Sequence, residues 1–289
     1  MKYDTRVPWL FLTPHLSLFL IFILFPILVI FGLSGFDWNL LGYHRFAGFS
    51  NYAEILEDKL FWRALGNTLL FSAVIVPVTM AAGLAVAIAL NRPMPVRNLF
   101  RAAMYLPTVI SSVASAIVAV WIFDEHYGVL NAFLIQFGLP RLPWLSSTHL
   151  AMPTIILTTI WLRTGFCMVI YLAALQDVPK NLLDAAALDG AGAWSRFRYI
   201  TWPLLWPSSV FLLVTNLIYS IHVFDLIYVM TNGGPAFSTT TLVKYLYDAA
   251  FEEQRQGYAS AISVILFFVL IGLTSLLLIK RNTAERRAA

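Results

Sequence analysis

Six mostly apolar stretches dominate this sequence, each approaching or exceeding the roughly 20 residues that carry a helix across a bilayer. They fall at 10–33, 67–90, 104–123, 150–174, 205–230 and 258–279. Inside lipid the backbone must satisfy its own hydrogen bonds, so stretches of this length can only be helical. The connections are too short for a soluble domain, and the chain is expected to be an all-α polytopic membrane protein with six transmembrane helices. Composition agrees: 12% of the 289 residues are charged, where soluble domains carry about a quarter. The first stretch is too long for the core of a signal peptide, and Phe36-Asp37-Trp38 follows it rather than a small-residue cleavage site. A single cysteine, Cys167, excludes an internal disulfide and a cysteine-paired metal site. It is expected to be a reduced packing residue.

The placement of charge orients the bundle. Lys2, Arg6, Arg92, Arg97, Arg101, Lys180, Arg196, Arg198, Lys280, Arg281, Arg286 and Arg287 fall on one side. The other side holds Arg45, Lys59, Arg63, Arg141, Lys244 and Arg255, in longer loops that also carry nine acids. The excess of basic residues predicts that the first side, with both termini, is cytoplasmic.

The connections carry their own signals. The external loop 34–66 holds Phe36, Trp38, Tyr43, Phe46, Phe49 and Tyr52, then an amphipathic stretch at 51–60, and is expected at the membrane interface. Thr231-Asn232-Gly233-Gly234-Pro235 is a turn signal, with a short helix predicted at 242–251. Pro26, Pro77, Pro107 and Pro153 lie in or near spans. Each is either a tolerated bend or a flex point of a gate.

One cytoplasmic connection, 177–203, is unusual for a loop between two spans. From Pro179 the sequence predicts a helix at 181–188 with Asn181 as its N-cap and Ala185-Ala186-Ala187 as a flat surface. Gly190 can take a positive φ and end that helix. A second short helix is predicted at 193–200, with Pro203 marking the return to the membrane. The segment is either an elbow on the lipid surface or a docking site for another protein.

At these residues the sequence resembles a known family. Asp184-Ala185-Ala186, Asp189-Gly190-Ala191, Phe197, Ile200 and Pro203 match the cytoplasmic loop of permease subunits of binding-protein-dependent ABC importers. Phe49-Ser50-Asn51-Tyr52, Phe61-Trp62, Asn67-Thr68, the run from Phe224 to Pro235, Thr241-Leu242 and Gly257-Tyr258-Ala259 extend the match over nearly the whole chain. Together they resemble the carbohydrate-uptake branch, similar to maltose-type and glycerol-phosphate-type permeases. The resemblance implies the type I importer permease fold, with residues 1–289 as a single permease domain in a bacterial plasma (inner) membrane. It implies a heterodimer with a second permease, two copies of a cytoplasmic ATPase, and an external solute-binding protein. Asp184, Ala185, Ala186, Asp189 and Gly190 would then couple to the ATPase. The family usually has glutamate where this chain has Asp184, a stem one methylene shorter. The sequence has no Gly-x4-Gly-Lys-Ser/Thr run, so ATP and magnesium are expected on the partner ATPase and no cofactor or catalytic residue on this chain.

In maltose-type permeases the fourth and fifth helices contact sugar. Carried onto this sequence, the matching positions are Thr159, Leu162, Arg163 and Phe166, then Asn216, Tyr219, Ser220 and Val223. Spacings of i, i+3, i+4 and i+7 put each set on one helical face. Arg163 is unusual for a neutral sugar, because a charge at mid-membrane is costly. A guanidinium there suits a phosphate, sulfonate or carboxylate, so the expected substrate is a sugar or sugar derivative, with glycerol phosphate or a sulfonated or acidic glycoside in view. The competing readings are that Arg163 snorkels or pairs with Asp225, and that such a pair serves an ion-coupled secondary transporter. Asp225 itself is expected to be structural, and His222 to be either a sugar donor or a packing residue.

Overall fold

The computed structural model describes residues 6–39, 42 and 44–288, with side chains from 11 to 275. Lys2 and Tyr43, named above, lie outside the described residues, as do the side chains of Arg6 and of the basic residues at 280–287. Among the described residues four helices are each long and apolar enough to cross a membrane: Phe11–Leu33, Lys59–Asn91, Ala151–Gln176 and Gln256–Ser275. Two bent pairs, Arg97–Val109 with Ser112–Ile122 and Ala193–Leu204 with Trp206–Ile221, complete six spans when each pair counts as one.

Two bends interrupt these pairs, one shortly after Pro107, named above as a bend or flex point, and one at Leu205, where the fifth span was expected to begin. The third span turns by 100° at Ile110 and Ser111, two residues held in extended conformation just beyond Pro107. The fifth bends by 64° at Leu205, between Pro203 and Pro207. Pro207 withholds an amide hydrogen and crowds the turn before it, which accounts for the break at Leu205, whereas Pro107 lies inside a helix that runs on to Val109. The fifth helix also ends at Ile221 rather than running on to 230. His222 caps it by setting Nδ1 against the Ile218 carbonyl at 2.9 Å, and a separate short helix, Asp225–Met230, follows. Pro77 sits in an unbroken helix, and Pro26 follows a π-helical turn, Leu20–Leu24.

The chain divides into two compact units. One comprises the described residues up to Phe61 with Tyr245–Gly272. Its segment after the first span forms a β-hairpin, Phe36–Trp38 against His44–Phe46, with Asp37 opposite Arg45, where the sequence suggested only an interfacial loop. The motif residues act here as pins. Asn51 Nδ2 donates to the Ser34 and Phe36 carbonyls, each at 2.9 Å, and the Tyr52 hydroxyl donates to Ser34 Oγ. Gly257 is required because any β-carbon would run into the Phe36 carbonyl group. Asp58 accepts hydrogen bonds from the Tyr245 and Tyr258 hydroxyls and from the Leu60 amide. Large apolar side chains of the first span, including Phe11, Phe22 and Leu28, face outward, as they do where lipid is the solvent.

The second unit comprises Trp62–Lys244 and the described residues from Leu273 on. One apolar cluster joins Phe71, Ile75, Ala116, Phe123, Ile155, Leu162, Val223 and Ile227. Another joins Ala87, Cys167, Met168, Tyr171, Leu205 and Leu212. Asn67 and Thr68 staple the Gly-Gly-Pro segment: Asn67 Nδ2 donates to the Phe237 and Thr240 carbonyls, and Thr68 Oγ1 accepts from the Leu242 amide.

Candidate substrate path and coupling loop

The fourth helix, Ala151–Gln176, is clamped by its neighbours. Gly165 has no room for a β-carbon, which would lie 3.0 Å from Tyr105 Cα and closer still to the Met104 carbonyl. A β-carbon on Gly83 of the second helix would lie 2.9 Å from the Cys167 and Met168 backbones. Thr108 Oγ1 donates to the Leu162 carbonyl at 2.9 Å. Contacts this close leave the helix little freedom to shift, which fixes where its polar side chains point.

Arg163 is one of those side chains. Its Nε and Nη2 donate to Asn216 Oδ1 at 3.3 and 3.1 Å. The guanidinium carbon lies 4.6 Å from the Phe166 ring centroid and 4.3 Å from that of Tyr219. Both distances are within the range of cation–π attraction. The pairs Arg163–Phe166 and Asn216–Tyr219 are each three residues apart, so one face of each helix supplies two groups. Asn216 is buried, and its Nδ2 donates to the Leu212 carbonyl at 2.9 Å and to Cys167 Sγ at 3.2 Å. The structure therefore gathers Arg163, Phe166, Asn216 and Tyr219.

The other four expected positions lie elsewhere. Thr159 is buried and donates to the Ile155 carbonyl. Leu162 and Val223 belong to an apolar cluster. Ser220 donates to Ser72 Oγ at 2.8 Å. Thr159, Leu162 and Ser220 are taken up in buried packing, and Val223 lies beyond the end of the fifth helix at Ile221, where helical spacing no longer assigns a face. Asp225 accepts from Ser112 Oγ, and no Arg163–Asp225 ion pair is formed among the described residues. That pairing is corrected: Asp225 ties the broken third span to the short helix Asp225–Met230. His222 is exposed at its helix end rather than packed in the core.

Cys167 is a buried free thiol in an apolar cluster, as expected, but its contact with Asn216 was missed along the sequence, as were Gly83, Thr108 and Ser112. The available signal was the i, i+4 relation of Arg163 to Cys167, which puts both on one helical stripe. The glycines announced nothing until their neighbours were placed.

Residues 177–203 fold as a short helix, Lys180–Leu188, with no buried residue. Pro179 occupies the N-cap, and Asn181 lies inside the helix instead. Proline suits this start because its missing amide is one the first turn would leave unpaired. Gly190 takes φ +80°. The Ala191 amide donates to the Ala186 carbonyl at 2.9 Å and the Gly190 amide to the Ala187 carbonyl at 3.1 Å. This pair of bonds is the Schellman motif, which closes a helix with a left-handed residue. Asp184, Ala185, Ala187 and Asp189 are exposed, with Ala186 half-buried, so three successive alanines do not form one flat face. Leu188 is 90% exposed, and Trp194 and Tyr199 project as well. A helix Ala193–Arg196 and a π-helical turn Phe197–Thr201 follow, with Trp194 stacked on Phe197.

Comparison with known proteins bears on both regions. The model of the binding-protein-dependent transport system inner membrane component family matches residues 80–286. The sulfoquinovosyl glycerol transport system permease protein SmoG of Agrobacterium fabrum is 34% identical over 277 residues, covering 95% of this chain and 90% of that protein. The lactose transport system permease protein LacF of Rhizobium radiobacter is 35% identical over 274 residues, covering 93% and 91%. A chain of a bacterial alginate ABC transporter, solved with a periplasmic protein holding an alginate pentasaccharide, superposes with a TM-score of 0.85. That chain is 25% identical, covering 94% of this chain and 92% of its own.

Proposed function

This chain belongs to the family of binding-protein-dependent transport system inner membrane components, and on that premise we propose that it passes an anionic sugar derivative along a path lined by Arg163. The protein is a membrane-embedded permease subunit of a sugar ABC importer, as its relatives are. The finer reading is carried by one observation, the Arg163 guanidinium held by Asn216 and laid against Phe166 and Tyr219.

Arg163 spends Nε and one Nη2 hydrogen on a single amide oxygen, leaving Nη1 and the second Nη2 hydrogen for a ligand. Two parallel N–H groups match the oxygens of a sulfonate, phosphate or carboxylate. Tyr219 and Phe166 add ring faces on which a sugar can stack. One relative is named for a sulfonated glycoside and one neighbour for alginate, which supports an acidic group. Glycerol phosphate remains within the same chemistry.

In the proposed cycle the cytoplasmic face presents residues 177–203 to an ATPase pair, which holds ATP and magnesium. Asp184, Ala185, Ala186, Asp189 and Gly190 form the contact, and closure of the ATPases rocks this subunit against a second permease. An external solute-binding protein delivers the sugar. The ion-coupled carrier is not favoured, since Arg163 turns to Asn216 and not to Asp225.

The test is uptake of sulfoquinovosyl glycerol and of its neutral glucosyl counterpart by the complete transporter. Loss of the sulfonated substrate alone in Arg163→Ala supports the reading. Unchanged sulfonate uptake, or equal loss of both, overturns it.

A further inference from the structure

Asn216 has no hydrogen-bonding group left for a ligand. Its amide oxygen accepts twice from Arg163, and its two N–H groups serve the Leu212 carbonyl and Cys167 Sγ. An amide rotated by half a turn would set its N–H groups against the guanidinium, donor facing cation. The groups at the far end favour the same orientation as the guanidinium and hold the amide in it. The Leu212 carbonyl lies one turn back on the same helix and holds one N–H. The second N–H is held from the opposing helix, by the sulfur of Cys167.

We propose that Cys167 is a positioning residue: its sulfur fixes the Asn216 amide so that the oxygen faces Arg163 and aims the guanidinium at the anionic group of the substrate. The inference rests on the reading of Arg163 as the anion-binding residue. Cys167 stands four residues from Arg163, so a single turn carries both the cation and the atom that orients the cation's partner. Gly83 backs the cysteine at van der Waals distance and keeps it seated. A thiol is a small apolar group with a weak acceptor, which suits a buried site that needs one acceptor and no charge.

The test measures Arg163 itself. Phenylglyoxal, a dicarbonyl that captures arginine nitrogens, is applied to the assembled transporter in membranes, and labelling at Arg163 is read by mass spectrometry. Releasing one hydrogen bond of about 1 kcal/mol is expected to speed labelling about fivefold in Cys167→Ala and in Cys167→Val. Cys167→Ser keeps an acceptor and is expected to stay within about twofold of the parent, while Asn216→Ala follows Cys167→Ala. Restoration by valine but not by serine means the sulfur only fills space, and overturns the proposal. Equal labelling in every variant, zero included, overturns it too. A parallel measurement follows uptake of a methyl glucoside bearing a sulfonate at C6, whose KM is expected to rise about fivefold in Cys167→Ala with the maximal rate unchanged. The labelling needs no substrate. If its pattern holds while Arg163→Ala takes up the sulfonated glucoside normally, the relay stands and the substrate reading is what fails.

Discussion

Gly83 lies against Cys167 so closely that a β-carbon at residue 83 would sit 2.9 Å from the cysteine's carbonyl carbon. The second helix can approach the fourth only because this residue has no side chain. Gly83→Ala is therefore expected to push the two backbones apart, at a cost of about 1–3 kcal/mol for an overpacked site. The disturbance reaches Asn216 and Arg163 through Cys167. The expected result is a lower melting temperature in detergent together with a raised KM for substrate. An alanine variant with parental stability and kinetics would show that the helices separate at no cost.

The Asp58 cluster sets a pH dependence. Burial disfavours the Asp58 carboxylate, but hydrogen bonds from Tyr245, Tyr258 and the Leu60 and Phe61 backbone outweigh it and hold the pKa below its ordinary value. Burial, then donation to Asp58, pushes the Tyr245 hydroxyl upward, so it remains a donor at physiological pH. Because the folded carboxyl has the lower pKa, the unfolded chain binds more protons in the interval between the two values. The stabilisation is complete above the unfolded pKa of about 4 and fades as the pH falls through the folded value. Melting curves from pH 7 to pH 3 are expected to show this loss. Asp58→Asn should be less stable at pH 7 by about 1.5–3 kcal/mol, the scale for hydrogen bonds to a charged group, with a flatter acid limb. Parallel limbs in both proteins would remove Asp58 from the account.

Much of the fold was legible because lipid leaves a long apolar stretch one choice of structure, and periodicity then assigns its faces. Arg163 was legible as a charge in an apolar run, while Phe166, Asn216 and Tyr219 came from the family resemblance, with helical spacing consistent with them. Ser220 satisfied the same spacing but turned to Ser72, since spacing fixes a face only to within a turn; Val223 lies past the helix end at Ile221 and joins the apolar cluster. The breaks at Ile110 and Leu205 were marked only by Pro107 and Pro203, which located them without giving their angles, since hydropathy does not report direction. The hairpin Phe36–Trp38 with His44–Phe46 is too short to show alternation. Family motifs such as Asn51-Tyr52, Asn67-Thr68 and Gly257-Tyr258 were visible at once. Their role as pins between distant backbone segments needed coordinates.

Orientation is testable with the chain's own cysteine count. Cys167 is buried, so a cysteine placed on the surface is the reactive one. Leu188, at 90% exposed, lies in the segment predicted to be cytoplasmic, and Tyr127, at 92%, lies in a loop predicted to be external. Leu188→Cys is expected to react with a membrane-impermeant maleimide only in inside-out vesicles, and Tyr127→Cys only in right-side-out ones. The reverse pattern would invert the topology and move the candidate docking segment away from any cytoplasmic ATPase.

Gly190 separates coupling from folding. Its φ of +80° lets Ala191 and Gly190 donate back to Ala186 and Ala187, so the helix stops at the turn where Leu188 and Asp189 are presented. An alanine there pays about 1–2 kcal/mol for the left-handed conformation, and a valine more. Either the motif opens or the residue stays strained, and the exposed surface moves. Because no residue of Lys180–Leu188 is buried, the membrane bundle should be unaffected. Gly190→Val is therefore expected to insert at normal levels and melt normally, while ATP hydrolysis by the assembled transporter no longer drives uptake. Asp184→Ala, which removes an exposed charge without touching the backbone, should weaken uptake in the same direction and leave the helix intact by hydrogen exchange. Normal uptake by both variants would place the ATPase contact elsewhere. Loss of uptake with loss of insertion in Gly190→Val would show the turn to be a folding element.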